Sequence, residues 1–430
     1  MFDKALFNTV MLKKLSTSLV VIASLLVIQA PFADNAIAAE AKKEEKKKRP
    51  TQLVGPSVGK KIQKAFEAYT ADDIDGALVI LKDINAKKDY EKAYVSRFIA
   101  VMYATKGDNE KEAISYLKIA IAPDILNEGD QGEALKLLAD LQMQTKDYKG
   151  ALGNYYAWMA FTGKDDGNTW VKIAQANYEL QQLDKMIVPA DKAIAAFGDK
   201  QNQNPYILKL TSYYERKQYL EAIKVLETVI LIFPENKTWW TQLPMFYLLV
   251  ENYPKAVQTL DLAYKQGFLD KESQIKTLAS LYSSTEAPFK AARLLEKHIA
   301  SGLIKRDDKN ISTLANAWHA AQHVGTAAKY YGELAKMTNE AKHYRKQGML
   351  LKQDEQFSKA IPALKKSLEL GVKNEGRIYM GIAESYFYLE KYKKAHVAIN
   401  KAMEDPKSRK AAKGWKGFIV DTARRKKVSI

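Results

Sequence analysis

The 430-residue chain holds 67 lysines and arginines against 50 acids, a formal net charge of +17, with 47% hydrophobic residues and no cysteine. Without cysteine there can be no disulfide, thiolate zinc site, iron–sulfur cluster, cysteine nucleophile or lipid-modified cysteine. The length suits two or three ordinary domains or one elongated array, and 24 Tyr beside only 21 Gly and 12 Pro point to long helices joined by short turns.

In chain order, Lys13 and Lys14 precede an apolar stretch, Leu15 to Ala30, which Pro31 breaks and Ala36-Ile37-Ala38 follows. That is the layout of a secretory signal peptide. It predicts a signal segment at 1–38, cleaved after Ala38 for export. The alternative is an uncleaved N-terminal inner-membrane anchor. The stretch is shorter than the roughly 20 residues that span comfortably. The basic run Lys42–Arg49 would also lie on the outer side, against the positive-inside preference.

Residues 39–56 read as a basic flexible spacer. "KKEEKKKRP" (Lys42–Pro50) and "RRKK" (Arg424–Lys427) are expected as solvated tails, or as contacts to an acidic envelope surface. Export removes the case for nucleic acid, which the same charge would make in a cytosolic chain. "GPSVGKK" (Gly55–Lys61) is one residue short of a phosphate loop between its glycines, lacks Ser or Thr after the lysine, and follows no strand.

From 57 to 407 the sequence repeats. A small residue recurs, generally with an aromatic or apolar residue three before it and an apolar one four after it: Ala77, Ala113 (after Glu110), Ala151, the larger Met186, Ala222, Ala256, Ala291, Ala327, Ala360 and Ala395. The intervals are 36, 38, 35, 36, 34, 35, 36, 33 and 35. Each unit reads as two helices with a short polar turn, the second with apolar residues at helical spacing, as in Ala222, Ile223, Leu226, Val229 and Ile230. The run Val225–Phe233 is thus a helix closed by Pro234, rather than a strand or a membrane span. The small residue belongs where two helices come closest, and neighbouring hairpins must stack to bury their remaining faces.

With Tyr206, Tyr213, Tyr219, Ala222, Leu226 and Pro234 the fifth unit resembles a tetratricopeptide (TPR) repeat, and the resemblance extends over about ten repeats. It implies an all-α fold, a right-handed superhelical solenoid of TPR helix-turn-helix repeats, with 408–430 as a C-terminal capping helix and basic tail. Pro244, Pro189 and Pro362 depart from the pattern and should kink a helix or shift its boundary. Pro254 and Pro288 suit first turns.

No catalytic, cofactor or metal site is expected, and no small-molecule substrate. His319 and His323 have an i, i+4 spacing, but no glutamate base and no third ligand. The TPR resemblance implies protein binding along a groove of first helices. Candidate groove residues are Phe98, Met102, Met143, Tyr178, Met245, His319, His323, Met349, Phe387 and Tyr388. The lysine–asparagine pair of a carboxylate clamp is missing, with Thr241 and Met245, Val171 and Gln175, Met380 and Glu384, and Ser312 and Asn316 in its place.

The block "RPTQLVGPSVGKKIQKAFEAYTADDIDGALVIL" (Arg49–Leu81) resembles exported TPR proteins of gamma-proteobacteria that are encoded with TonB energy-transduction systems. It implies a non-catalytic periplasmic scaffold, an accessory to TonB-dependent uptake such as iron transport, with TonB-complex components as partners. The alternative is a general cell-envelope assembly adaptor, in polysaccharide export or cell-wall synthesis.

Overall fold

A computed structural model describes residues 49–430, so the expected signal segment, its expected cleavage site and most of the expected basic spacer lie outside the described residues. Among these residues 21 α-helices and one 3₁₀ turn follow one another, with no strand. None of the helices is long and apolar enough to cross a membrane. Two compact units divide the chain, one ending at Ile232 and one from Phe233 to Ile430.

The first unit holds five hairpins: α1 (Pro56–Thr70) with α2 (Ile74–Lys82), α3 (Asp89–Lys106) with α4 (Glu110–Ile121), α5 (Glu128–Gln144) with α6 (Tyr148–Thr162), α7 (Gly167–Glu179) with α8 (Ile187–Phe197), and α9 (Asn204–Glu215) with α10 (Tyr219–Ile232). The second unit holds five more: α11 (Lys237–Leu249) with α12 (Tyr253–Lys265), α13 (Glu272–Ser284) with α14 (Pro288–Ala300), α15 (Asp308–Ala320) with α16 (Val324–Thr338), α17 (Ala341–Gln353) with α18 (Phe357–Glu369), and α19 (Glu375–Tyr388) with α20 (Tyr392–Glu404). A final helix, α21 (Arg409–Arg425), follows.

All ten repeating residues, from Ala77 to Ala395, are fully buried. Four positions on, Leu117, Tyr155, Leu226, Leu260, Leu364 and Ile399 are fully buried too. The first helices meet them with small residues, including Ala65, Ala139, Ala174, Ala315 and Ala383. Gly348 of α17 shows how tight the contact is. A Cβ there would lie 2.6 Å from Leu364 Cγ and 3.0 Å from the Leu364 amide nitrogen, so a side chain would push the two helices apart. The run Val225–Phe233 of the fifth hairpin is helical as far as Ile232, with Val225, Leu226 and Val229 buried and Leu231 on the open side.

The turns inside the hairpins are built alike. Five residues before each buried anchor stands a non-glycine residue with positive φ: Asp72, Asp108, Lys146, Gln181, Lys217, Glu251, Glu286, Gln322, Glu355 and Glu390. In nine of the ten, all but the second hairpin, the next residue's amide then donates to the carbonyl five positions back, as Gln218 to Tyr213 (2.8 Å), Asn252 to Tyr247 (2.8 Å) and Gln356 to Leu351 (2.9 Å). This is the Schellman closure, which satisfies carbonyls that the ending helix leaves bare. Several connections between hairpins use glycine instead, at Gly163, Gly198, Gly267, Gly302 and Gly371.

The prolines behave less uniformly than their positions suggest. Before Pro189 the second helix opens as the 3₁₀ turn Leu183–Met186 and becomes α-helical only at Ile187. The expected boundary shift is therefore present there. Pro244 and Pro362 sit inside α11 and α18, whose boundaries do not move. Pro254 and Pro288 occupy first turns.

The stretch from Arg49 to Gly55, expected within a flexible spacer, is pinned. Arg49 donates to the Asp124 carbonyl (2.8 Å) and carboxylate (2.7 Å) and lies over the Phe161 ring (4.6 Å). The Gln52 amide donates to Asn127 Oδ1 (2.9 Å). In the phosphate-loop look-alike, Gly55 N–H donates to Glu91 Oε1 (3.0 Å), so this chain's own carboxylate occupies the N-terminus of α1. That bond holds Glu91 below the usual carboxylate range.

Candidate interaction surface

In both units, consecutive first helices are joined side by side through polar bonds about one repeat apart in sequence. Arg97 of α3 pairs with Asp130 (3.2 Å) and Glu133 of α5. Lys172 of α7 pairs with Asp140 of α5 (2.7 Å). In the second unit Lys276 of α13 donates to Asn310 of α15 (2.8 Å), and Lys352 of α17 pairs with Glu384 of α19. Second helices form a parallel row, with Tyr264 of α12 bonded to His298 of α14 (2.9 Å) and Tyr330 of α16 to Glu296 of α14 (2.5 Å). Burial and the neighbouring carboxylate push the Tyr330 hydroxyl far up. A cavity of about 450 Å³ opens among α12, α13 and α14, with Tyr264, Tyr282 and Leu294 among its lining residues.

The candidate groove residues are not all equally available to a partner. Met102 is not, because it is 3% exposed in the core of the first two hairpins. Phe98, one turn earlier on the same face, packs against the edge of that core. Phe98 is half-buried, its ring 5.2 Å from Tyr94 with the Arg97 guanidinium above it. Met143 and Tyr178 are half-buried against the core around Trp170 and Ile173. Met245 is half-buried on α11.

His319 and His323 do not converge. Helix α15 ends at Ala320, and Gln322 takes a left-handed conformation, so His323 caps α16 instead of extending the face that carries His319. The exposed His323 ring packs 5.1 Å from Phe289 and 5.2 Å from Trp318. Burial, and then Lys346, lower the His319 pKa. Among the described residues no group of three or more histidines and acids could hold a metal ion.

Met349 is a spacer between first helices, since a Cβ on Gly381 of α19 would meet its sulfur at 3.4 Å. Phe387 is half-buried and touches Tyr392 (5.6 Å), Trp415 (5.8 Å) and Phe418 (5.0 Å). Tyr388 is 54% exposed and stacks on Phe357 at 4.8 Å. The positions that replace a carboxylate clamp are largely engaged: Val171 is buried, Asn316 accepts from the Tyr331 hydroxyl, and Glu384 holds Lys352.

Arg345 and Lys346 on α17 are not among the residues that the groove motif singled out. Both are half-buried. Lys346 lies over the Tyr331 ring (5.8 Å), and neither cation forms an ion pair among the described residues. Nothing in the helical periodicity distinguishes them from paired cations such as Arg97, because the partner acid comes from a different helix.

No family model and no curated protein matches the sequence. Solved helical-repeat structures superpose on parts of it. A tetratricopeptide repeat protein from Parabacteroides merdae is 15% identical over 59% of this chain and 98% of its own, with a TM-score of 0.33. The C-terminal part of a TPR repeat-containing protein from Cytophaga hutchinsonii is 15% identical over 64% and 96%, with a TM-score of 0.34. YrrB, a TPR protein with an unusual peptide-binding site, is 15% identical over 45% and 97%, with a TM-score of 0.33. The repeat architecture of this chain rests on its own buried anchors and turns.

Proposed function

We propose that the chain is a non-catalytic protein-interaction scaffold, and that the first helices α15, α17 and α19 receive an acidic segment of its partner. The observation that carries this reading is the unpaired Arg345 and Lys346, the latter near His319, in a row whose Glu384 is already held by Lys352. A cation left half-buried without an acid is poorly compensated, and an incoming carboxylate compensates it. Arg97 in the first unit has Asp130 and Glu133 and needs no such visitor.

The partner we infer is a component of a TonB energy-transduction system, with the chain exported to the periplasm as an accessory to TonB-dependent uptake. The signal-like Leu15–Ala30 stretch and the Arg49–Leu81 block support this. Crosslinking in intact cells, followed by capture, should recover a TonB-complex protein. Replacing Arg345 and Lys346 by Glu should cut recovery several-fold while the melting temperature holds. Recovering no such protein, together with normal iron-chelate growth of a deletion strain, removes the TonB reading. Detergent sensitivity with intact iron uptake favours the envelope-assembly adaptor instead.

A further inference from the structure

Residues 391–430 hold thirteen lysines and arginines and three acids, Glu404, Asp405 and Asp421, a net +10 out of the chain's +17. "RRKK" is not a loose tail, since Arg424 and Arg425 belong to α21. That helix lies on the last hairpin through Ala412, Ile419 and Ala423. Its other side, with Lys413, Phe418, Arg424 and Arg425, is exposed. Two of the three acids are engaged locally: Asp405 accepts from Ser408 (2.9 Å) and Asp421 pairs with Arg424 (3.4 Å).

Beside these cations lies a continuous patch of rings. Phe418 is 50% exposed and Tyr388 54%. They are linked through Phe387, 5.0 Å from Phe418 and 5.6 Å from Tyr388. Lys426 reaches Glu390 (3.7 Å) in the turn just after Tyr388, which brings the basic end of α21 to the edge of the ring patch.

We infer that this end of the second unit docks on an anionic phospholipid bilayer, with Phe418 and Tyr388 entering the interface and the lysines and arginines on the headgroups. An aromatic wedge or a basic patch alone binds such a surface weakly, and the two together bind it well. The choice of a bilayer over single-stranded nucleic acid, which rings among cations also suit, rests on the reading of Leu15–Ala30 as a membrane-directing segment.

The test is sedimentation of the purified full chain with phosphatidylglycerol–phosphatidylcholine vesicles, with phosphatidylcholine vesicles, and with a single-stranded oligonucleotide. The mixed vesicles should bind the chain strongly and phosphatidylcholine weakly. The double substitution Arg424→Gln, Arg425→Gln should lower partition to mixed vesicles by about tenfold or more. Phe418→Ala should lower it by roughly fivefold, with an unchanged melting curve in both variants. Variants that bind like the parent would assign the binding to Leu15–Ala30 and overturn the proposal. So would tighter binding to the oligonucleotide, or a dimer that Phe418→Ala converts to monomer. Export is read separately by cell fractionation, because the purified chain meets the vesicles whatever its compartment.

Discussion

The described residues up to Ile232 carry 24 lysines and arginines against 25 acids, whereas Phe233–Ile430 carry 35 against 20 and all five histidines. Inside, the two units follow one rule: a fully buried residue at each of ten anchors, five residues after a left-handed turn. Packing and surface charge therefore vary independently along this chain. Substitutions in the packing should act alike in either unit, and changes of proton or salt concentration should act on the second.

The largest effect should come from the one anchor that differs. Met186 is fully buried in the 3₁₀ turn, packed in a cluster with Tyr155, Ile173 and Ala190. Met186→Ala removes that filling and should cost about 2–5 kcal/mol. Ala327→Met puts the same side chain where α15 and α16 touch and should cost about 1–3 kcal/mol. Urea melts of the two variants check this. A neutral Met186→Ala would mean that packing does not dictate the irregular fourth hairpin.

The anchors were legible in the sequence because a single side-chain size decides whether two helices can touch, and that constraint recurs every repeat. The turns were legible in place, as short polar stretches, but not in conformation. Apart from Asp72 and Asp108 their left-handed residues are Lys, Gln and Glu, which are not turn formers, whereas Gly at Gly302 or Gly371 announces itself. Gln322→Gly should therefore stabilise the second unit by about 0.5–1 kcal/mol, relief of left-handed strain outweighing the glycine's extra freedom when unfolded. Lys217→Gly should do the same in the first. A loss of stability in both would show that the Schellman turns hold no strain. The candidate groove was half legible. Periodicity marks an outward face, as for Tyr388, but cannot tell a groove residue from one spent on the core or the next repeat, as Phe98, Met349 and Glu384 are. The strap from Arg49 was hidden for a related reason, because its partner Asp124 lies two hairpins away.

Acidification separates the units most finely. Burial, and then Lys297, lower the pKa of His298, which shares a hydrogen bond with Tyr264. Burial, and then Lys346, do the same to His319. For His343 burial comes first and Lys342 second, with Glu340 opposing. A folded-state pKa below the unfolded one means that the unfolded chain takes up the proton first. Their stabilisation is thus complete above the unfolded value of about 6.5 and is lost as pH falls through the folded values. The first unit has no histidine among its described residues, and its half-buried Asp130, raised by burial against Arg97, has the opposite sign. Between about pH 7.5 and about pH 5.5, hydrogen exchange corrected for its intrinsic rate should quicken in peptides from α13 to α17 and not in peptides from α3 to α7. His298→Gln should remove part of that response, because glutamine can still accept from Tyr264 without titrating. Equal quickening in both units would assign the acid response to carboxylates, and the contrast between the units would then lie in charge alone.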